Sequence, residues 1–136
     1  MRLERLALAF LALALLACRA EPPAAVRADR LTSNDGTWTL LVEPPLQDCV
    51  LGEPCSFRVR VDPTDGTPQP VLPRLEVDAA MPDHRHGLNA RPTVRRDREG
   101  GYLVDGLLLH MPGYWEVYFD MTTGPVTERA QLALER

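Results

Sequence analysis

Residues 56–62 read Ser-Phe-Arg-Val-Arg-Val-Asp, and this stretch decides the class of fold. Its apolar side chains, Phe57, Val59 and Val61, alternate with polar ones, so a β-strand here would bury one face and expose the other. The same period of two recurs, strongly or weakly, in six more segments: residues 37–42, 74–79, 93–96, 102–109, 114–121 and 129–135.

Turn-forming residues separate these segments, as in Asp62–Gly66, Pro112-Gly113 and Gly124-Pro125. No stretch after residue 18 has a convincing helical period, and the many prolines would interrupt a helix. About seven short strands in about 100 residues predict an all-β fold, an immunoglobulin-like β-sandwich over residues 37–136.

The first 18 residues are typical of a cleaved signal rather than of the fold. Arg2 and Arg5 precede a Leu/Ala run over residues 6–16, which is too short to span a bilayer. The run ends in Leu-Leu-Ala-Cys at Cys18, which resembles the lipobox of bacterial lipoproteins. We therefore predict a lipoprotein signal peptide at 1–18 with lipidation of Cys18. The alternative is an ordinary secretory signal in which Cys18 is incidental.

Residues 19–36 are rich in Pro, Ala and charge without an apolar period, and they predict a flexible tether. The expected location is extracytoplasmic, on a membrane-anchored lipoprotein of the periplasm, in the inner or the outer membrane. The formal net charge of −4 argues against a nucleic-acid partner. We expect a monomer that contacts the membrane through its lipid.

Two cysteines remain after Cys18, in the segment Cys49-Val-Leu-Gly-Glu-Pro-Cys55. An even pair in an exported protein predicts a disulfide, and Gly52 and Pro54 would let the loop turn back. A dithiolate metal site is the alternative, which an oxidising compartment disfavours.

Two short segments hold all three histidines and two of the three methionines that follow residue 18. They are Met81-Pro-Asp-His-Arg-His-Gly87 and His110-Met-Pro-Gly113. Both lie at predicted strand ends, and the loops of a sandwich gather at its two ends, so the segments could meet.

Imidazole and thioether together suit copper, and thioether favours Cu(I). If the first segment is extended, His84 and His86 project on the same side and could bind one ion. His110 would supply a third nitrogen, and Met81 or Met111 a soft ligand. Acid should weaken such a site, because imidazole binds metal only in its neutral form.

The alternative to a metal site is a purely structural role for these histidines and methionines. Met81 and Met111 would then fill the end of the core. Each histidine would stabilise a turn by a hydrogen bond to a backbone carbonyl. Tyr114 and Tyr118 should face outward, either as a partner-binding surface or as cross-strand packing. No nucleophile is identifiable, so we expect no enzyme and no catalytic residues.

At these residues the chain resembles the YtkA-like domain family and its FixH-like relatives. The resemblance rests on residues 80–87, 101–107 and 110–117 and covers roughly residues 37–136. It implies an extracytoplasmic β-sandwich, similar in some relatives to proteins that handle copper or help to assemble respiratory oxidases. The resemblance also implies a set of candidate metal ligands: His84, His86, His110, Met81 and Met111.

These observations predict a lipid-anchored domain that binds a soft metal ion, with copper as cofactor, for homeostasis or delivery. Its partner would be a metal-accepting or respiratory-chain protein. The alternative is a metal-free interaction or assembly module that docks a membrane or periplasmic partner.

Overall fold

Two antiparallel β-sheets face each other in a computed structural model that describes residues 26–136. The strands are β1 (Asp29–Thr32), β2 (Trp38–Glu43), β3 (Cys55–Pro63), β4 (Arg74–Met81), β5 (His86–Gly87), β6 (Thr93–Arg96), β7 (Tyr102–Leu107), β8 (Tyr114–Thr123) and β9 (Val126–Glu135). One sheet has the order β1-β2-β3-β7-β6 and the other has the order β5-β4-β8-β9.

The strand order confirms the predicted all-β sandwich. Strands β2-β3-β7-β6 have the order of the four-stranded sheet of an immunoglobulin domain, and β4-β8-β9 have that of its three-stranded sheet. All seven predicted strands are present, and β7 ends at Leu107 rather than at residue 109. The total is nine because two short strands, β1 and β5, are added at sheet edges.

Strand β1 lies inside the segment that was expected to be tether, so the boundary at residue 36 is wrong. Asp29–Thr32 pair with β2, and the following turn is bonded to β9. The Ser33 hydroxyl donates a 2.6 Å hydrogen bond to the buried Glu128 carboxylate, and Asn34 and Arg129 exchange two hydrogen bonds. These contacts join the two sheets along one side, so the folded domain begins by Asp29.

The core lies between the sheets and follows the predicted alternation. On β8 the inward side chains Trp115, Val117, Phe119 and Met121 are each at most 1% exposed. Phe119 meets Phe57 of the opposite sheet edge to face, with ring centres 6.3 Å apart. Burying each of these large side chains stabilises the fold by roughly 1.5–3 kcal/mol. Tyr114 and Tyr118 face outward, as predicted.

The end of the sandwich where β4, β7 and β9 finish and β3 and β8 begin is called the histidine end here. It carries residues 44–54, 82–85 and 108–113. The far end carries residues 64–73, 97–101 and 124–125. Both histidine-containing segments therefore lie at one end, which the sequence had left as a possibility.

The predicted disulfide is present at the histidine end, where Cys49 and Cys55 are bonded with their Cα atoms 5.5 Å apart. The signal peptide, the lipobox with Cys18 and the tether up to residue 25 lie outside the described residues. Within residues 26–136 there is no helix of the length and hydropathy needed to cross a membrane.

Candidate metal centre

Strand β4 ends where Pro82 begins a short 3₁₀ turn, Pro82–His84. Arg85 then adopts a left-handed conformation with φ 54°, which is uncommon for a side chain other than glycine. The chain reverses there, so His86 and Gly87 pair back onto β4 as the two-residue strand β5. Gly87 lets the two strands approach closely, because a Cβ at that position would lie 3.1 Å from the carbonyl oxygen of Ala79 and the backbone would have to shift by a few tenths of an ångström.

Because of this reversal, His84 and His86 differ in backbone conformation and in exposure. The segment is not extended as the sequence suggested, since His84 is in the 3₁₀ turn and His86 is in a strand. His84 is consequently exposed, whereas His86 is half-buried. Their ring centres are 5.8 Å apart.

The loop that carries His110 is held by contacts on both sides. The Gly52 amide donates a 2.9 Å hydrogen bond to the carbonyl of the buried Leu109. After the histidine, the Trp115 indole N–H donates a 2.9 Å hydrogen bond to the carbonyl of Met111. Gly113 exchanges two backbone hydrogen bonds with Arg136. His110 therefore lies in a segment whose backbone is fixed.

Three aromatic rings meet behind this loop. The ring centres of His86 and His110 are 5.6 Å apart, and both imidazoles contact the indole of Trp115, at 6.2 and 5.5 Å. The Nε2 atom of His86 and the Nδ1 atom of His110 are buried and have no hydrogen-bond partner within residues 26–136. An unsatisfied buried polar atom costs about 1–3 kcal/mol, so two of them in touching rings need an explanation.

The two candidate methionines differ in their surroundings. Met81 is fully buried and lies opposite His86 in the β4–β5 ladder. Directly opposite residues point to the same face of a sheet, so the thioether and the imidazole share one side. Met111 is half-buried against the core. Gly113 has φ 123°, and a Cβ there would lie 3.0 Å from the terminal methyl carbon of Met81.

The spacing of the imidazoles suits a shared ion. A metal ion about 2 Å from one nitrogen of each ring would be about 3 Å from each ring centre, so two rings can share an ion when their centres are within about 6 Å. The His86–His110 pair meets this condition, and so does the His84–His86 pair at 5.8 Å. Only in the first pair do both rings carry a buried nitrogen without a hydrogen-bond partner among the described residues. Among the described residues, no three His, Cys, Asp or Glu side chains converge as metal ligands.

The sequence did not reveal that Trp115 borders this centre. Its inward register predicted a core residue, and it is fully buried. The structure adds that its ring forms the wall behind both imidazoles. The available signal was its position five residues after His110, beyond the Pro112-Gly113 turn.

Comparison of the chain with protein-family models, with curated proteins and with solved structures finds no match.

Proposed function

We propose that the histidine end binds one soft metal ion, Cu(I), between His86 and His110. The observation that carries this proposal is the pair of buried, unpartnered imidazole nitrogens on two rings whose centres are 5.6 Å apart. A structural histidine beside a turn usually bonds to a backbone carbonyl. These two nitrogens do not, and a shared ion would satisfy both.

Met81 is the proposed soft ligand. Met111 is proposed as a second soft ligand, because it directly follows His110 in the same loop. Met81 is fully buried and faces His86, and the Met111 carbonyl is held by Trp115 beside His110. A set of two imidazoles and thioether sulfur suits Cu(I). Zinc sites usually have four N, S or O ligands, and among the described residues there is no group of three His, Cys, Asp or Glu side chains that could hold a metal ion.

His84 is proposed as a peripheral residue that helps an ion to enter or leave. Its ring is exposed and lies 5.8 Å from that of His86. The mechanism is ligation and hand-over without catalysis, on an extracytoplasmic lipoprotein. The resemblance to YtkA-like domains supports the same proposal, because some of those relatives are similar to copper-handling proteins.

The second candidate function is a metal-free docking module that uses the outer face of β8. Tyr114 and Tyr118 there donate hydrogen bonds to the same carboxylate, that of Glu116, at 3.2 and 2.6 Å. Arg129 stacks on Tyr118 at 4.3 Å. Tyr and Arg are enriched at protein interfaces, and side chains held by such contacts lose little entropy on binding.

The test is an anaerobic Cu(I) titration against a chromogenic competitor, with Cu(II) and Zn(II) in parallel. We expect one equivalent of Cu(I) to bind. His86→Ala and His110→Ala should each weaken binding by more than the roughly 10–100-fold that loss of an outer-sphere partner costs. His84→Ala is the matched control and should change the affinity only a few-fold.

Either of two results would remove the proposed site at His86 and His110, and the first would also favour the docking module. One is a wild-type Kd for Cu(I) weaker than about 10 µM. The other is unchanged binding in both the His86 and His110 variants. Circular dichroism of each variant separates loss of ligands from loss of folding.

A further inference from the structure

The described chain enters the domain at the histidine end. Strand β1 begins there, and the Asp29 carboxylate accepts a 2.8 Å hydrogen bond from the Leu46 amide. Two residues earlier, Arg27 forms a 3.1 Å ion pair with Asp48. Asp29 is thus held against the 3₁₀ turn Leu46–Asp48, directly before the disulfide loop, whereas the Arg27–Asp48 pair is exposed and adds little.

The disulfide loop presents two adjacent aliphatic side chains at this end. Val50 is 58% exposed and Leu51 is 37% exposed. The other exposed large aliphatic side chains among the described residues are Val26, Val71 and Val126. The Cys49–Cys55 bond closes the loop, and the Gly52 amide is bonded to the Leu109 carbonyl. Isolated exposed aliphatics are common, but these two neighbours occupy a loop that is held in place on both sides.

We infer that the histidine end rests on a lipid bilayer, with Val50 and Leu51 inserted at the interface between head groups and acyl chains. This inference depends on lipidation of Cys18 and is independent of metal binding. Ten residues, 19–28, separate Cys18 from Asp29. Such a segment can span at most about 36 Å.

The maximum span of residues 19–28 indicates which end of the domain meets the membrane. The ten-residue strands β8 and β9 make the sandwich about 33 Å long. The far end could touch the bilayer only if residues 19–28 were fully extended along the whole domain. The histidine end needs no such extension, and it already carries the exposed aliphatic pair. Apolar side chains at an interface gain free energy by leaving water, so the contact should also form on uncharged lipids.

The experiment uses the full lipidated chain, purified from membranes and reconstituted in metal-free phosphatidylcholine vesicles that contain brominated lipid. A fluorophore is attached at Gln47→Cys, at the histidine end, or at Pro125→Cys, at the far end. Both native side chains are exposed. We expect bromine quenching at position 47 to be severalfold stronger than at position 125, because the length of the domain separates the two labels.

A second pair of variants tests whether Val50 and Leu51 insert into the bilayer or whether the lipid anchor alone holds the domain near it. Val50→Asp/Leu51→Asp should reduce quenching of the label at position 47. Val126→Asp, at an exposed aliphatic position of the far end, should not change it. Equal quenching at the two labels, or stronger quenching at position 125, would overturn the orientation. Quenching that Val50→Asp/Leu51→Asp leaves unchanged would overturn the insertion. Mass spectra without acylation at Cys18 would overturn both, whereas failure of the Cu(I) titration would affect neither.

Discussion

Met81 and His86 are Cα partners across the β4–β5 ladder, although the chain reverses direction between them. Pro82 ends β4, and the left-handed Arg85 completes the reversal. The inward direction of Met81 therefore sets the direction of His86, because opposite residues of an antiparallel pair share a face. This relationship distinguishes His86 from its neighbour His84.

Replacing Met81 by leucine should weaken Cu(I) binding while the fold remains. Leucine has nearly the same volume, so we expect less than about 1.5 kcal/mol of lost stability. The thioether disappears, so affinity for Cu(I) and for Ag(I) should both fall. Met121→Leu is the matched control, since Met121 is buried in the far half of the core. Equal affinities of the Met81 and Met121 variants in a competitive titration would exclude Met81 as a ligand.

Replacing Gly113 by alanine should disturb the same centre without removing a ligand. The new Cβ would meet the terminal methyl carbon of Met81 at 3.0 Å, so the thioether must shift. Gly124→Ala is the control, because Gly124 also has positive φ but no atom near an added Cβ. In urea unfolding Gly124→Ala should lose about 1 kcal/mol and Gly113→Ala should lose more, because a φ of 123° lies outside the left-handed region that other residues adopt. Only the Gly113 variant should bind Cu(I) more weakly, and equal affinities would contradict the proposed position of Met81.

Removal of the disulfide should lower stability through the unfolded state. In the chain-entropy model, closing the short loop between Cys49 and Cys55 contributes about 2 kcal/mol. Urea unfolding of Cys49→Ala/Cys55→Ala should show this loss. Reductant should lower the wild type to the same value and leave the variant unchanged. A wild type that reductant does not destabilise would contradict this assignment.

Glu128 should contribute stability that acid removes. Burial raises the pKa of its carboxyl, but the hydrogen bonds from Ser33 and Thr37 outweigh burial, so the pKa is lowered overall. A lowered pKa in the fold gives stability that is present above the unfolded value, about 4.3, and is lost as pH falls below it. Glu128→Gln should cost about 1–3 kcal/mol at neutral pH and should flatten the acid side of the stability curve. The exposed Glu53→Gln is the control, and parallel curves for wild type and Glu128→Gln would refute the prediction.

Tyr118 should ionise only at strongly alkaline pH. Burial, and then the hydrogen bond to Glu116, raise its pKa to about 12. A raised pKa means that the stabilising contribution is present at lower pH and is lost as pH rises towards that value. An ultraviolet titration should therefore show a phenolate near pH 12 that is missing in Tyr118→Phe. Glu116→Gln should move this transition to lower pH, and an unmoved transition would show that Glu116 has no influence.

The strands with a one-sided apolar pattern could be predicted from the sequence, and the two added strands could not. In β3 and β8 every second residue is apolar, since one face of each packs on the core. Strand β1 shows no such pattern, because it is an edge strand in which Leu31 alone packs against the core. Strand β5 has two residues, too few for any period to be recognised.

By itself, the sequence predicted the sandwich and the Cys49–Cys55 disulfide, and it allowed all three histidines to lie at one end. These features depend on local alternation, on loop composition and on the rule that successive antiparallel strands return the chain to the same end. Only the tertiary structure decided that His86 and His110, rather than His84, turn inward against Trp115. That choice depends on the backbone reversal at Arg85 and on packing between residues far apart in the chain, which no local period encodes.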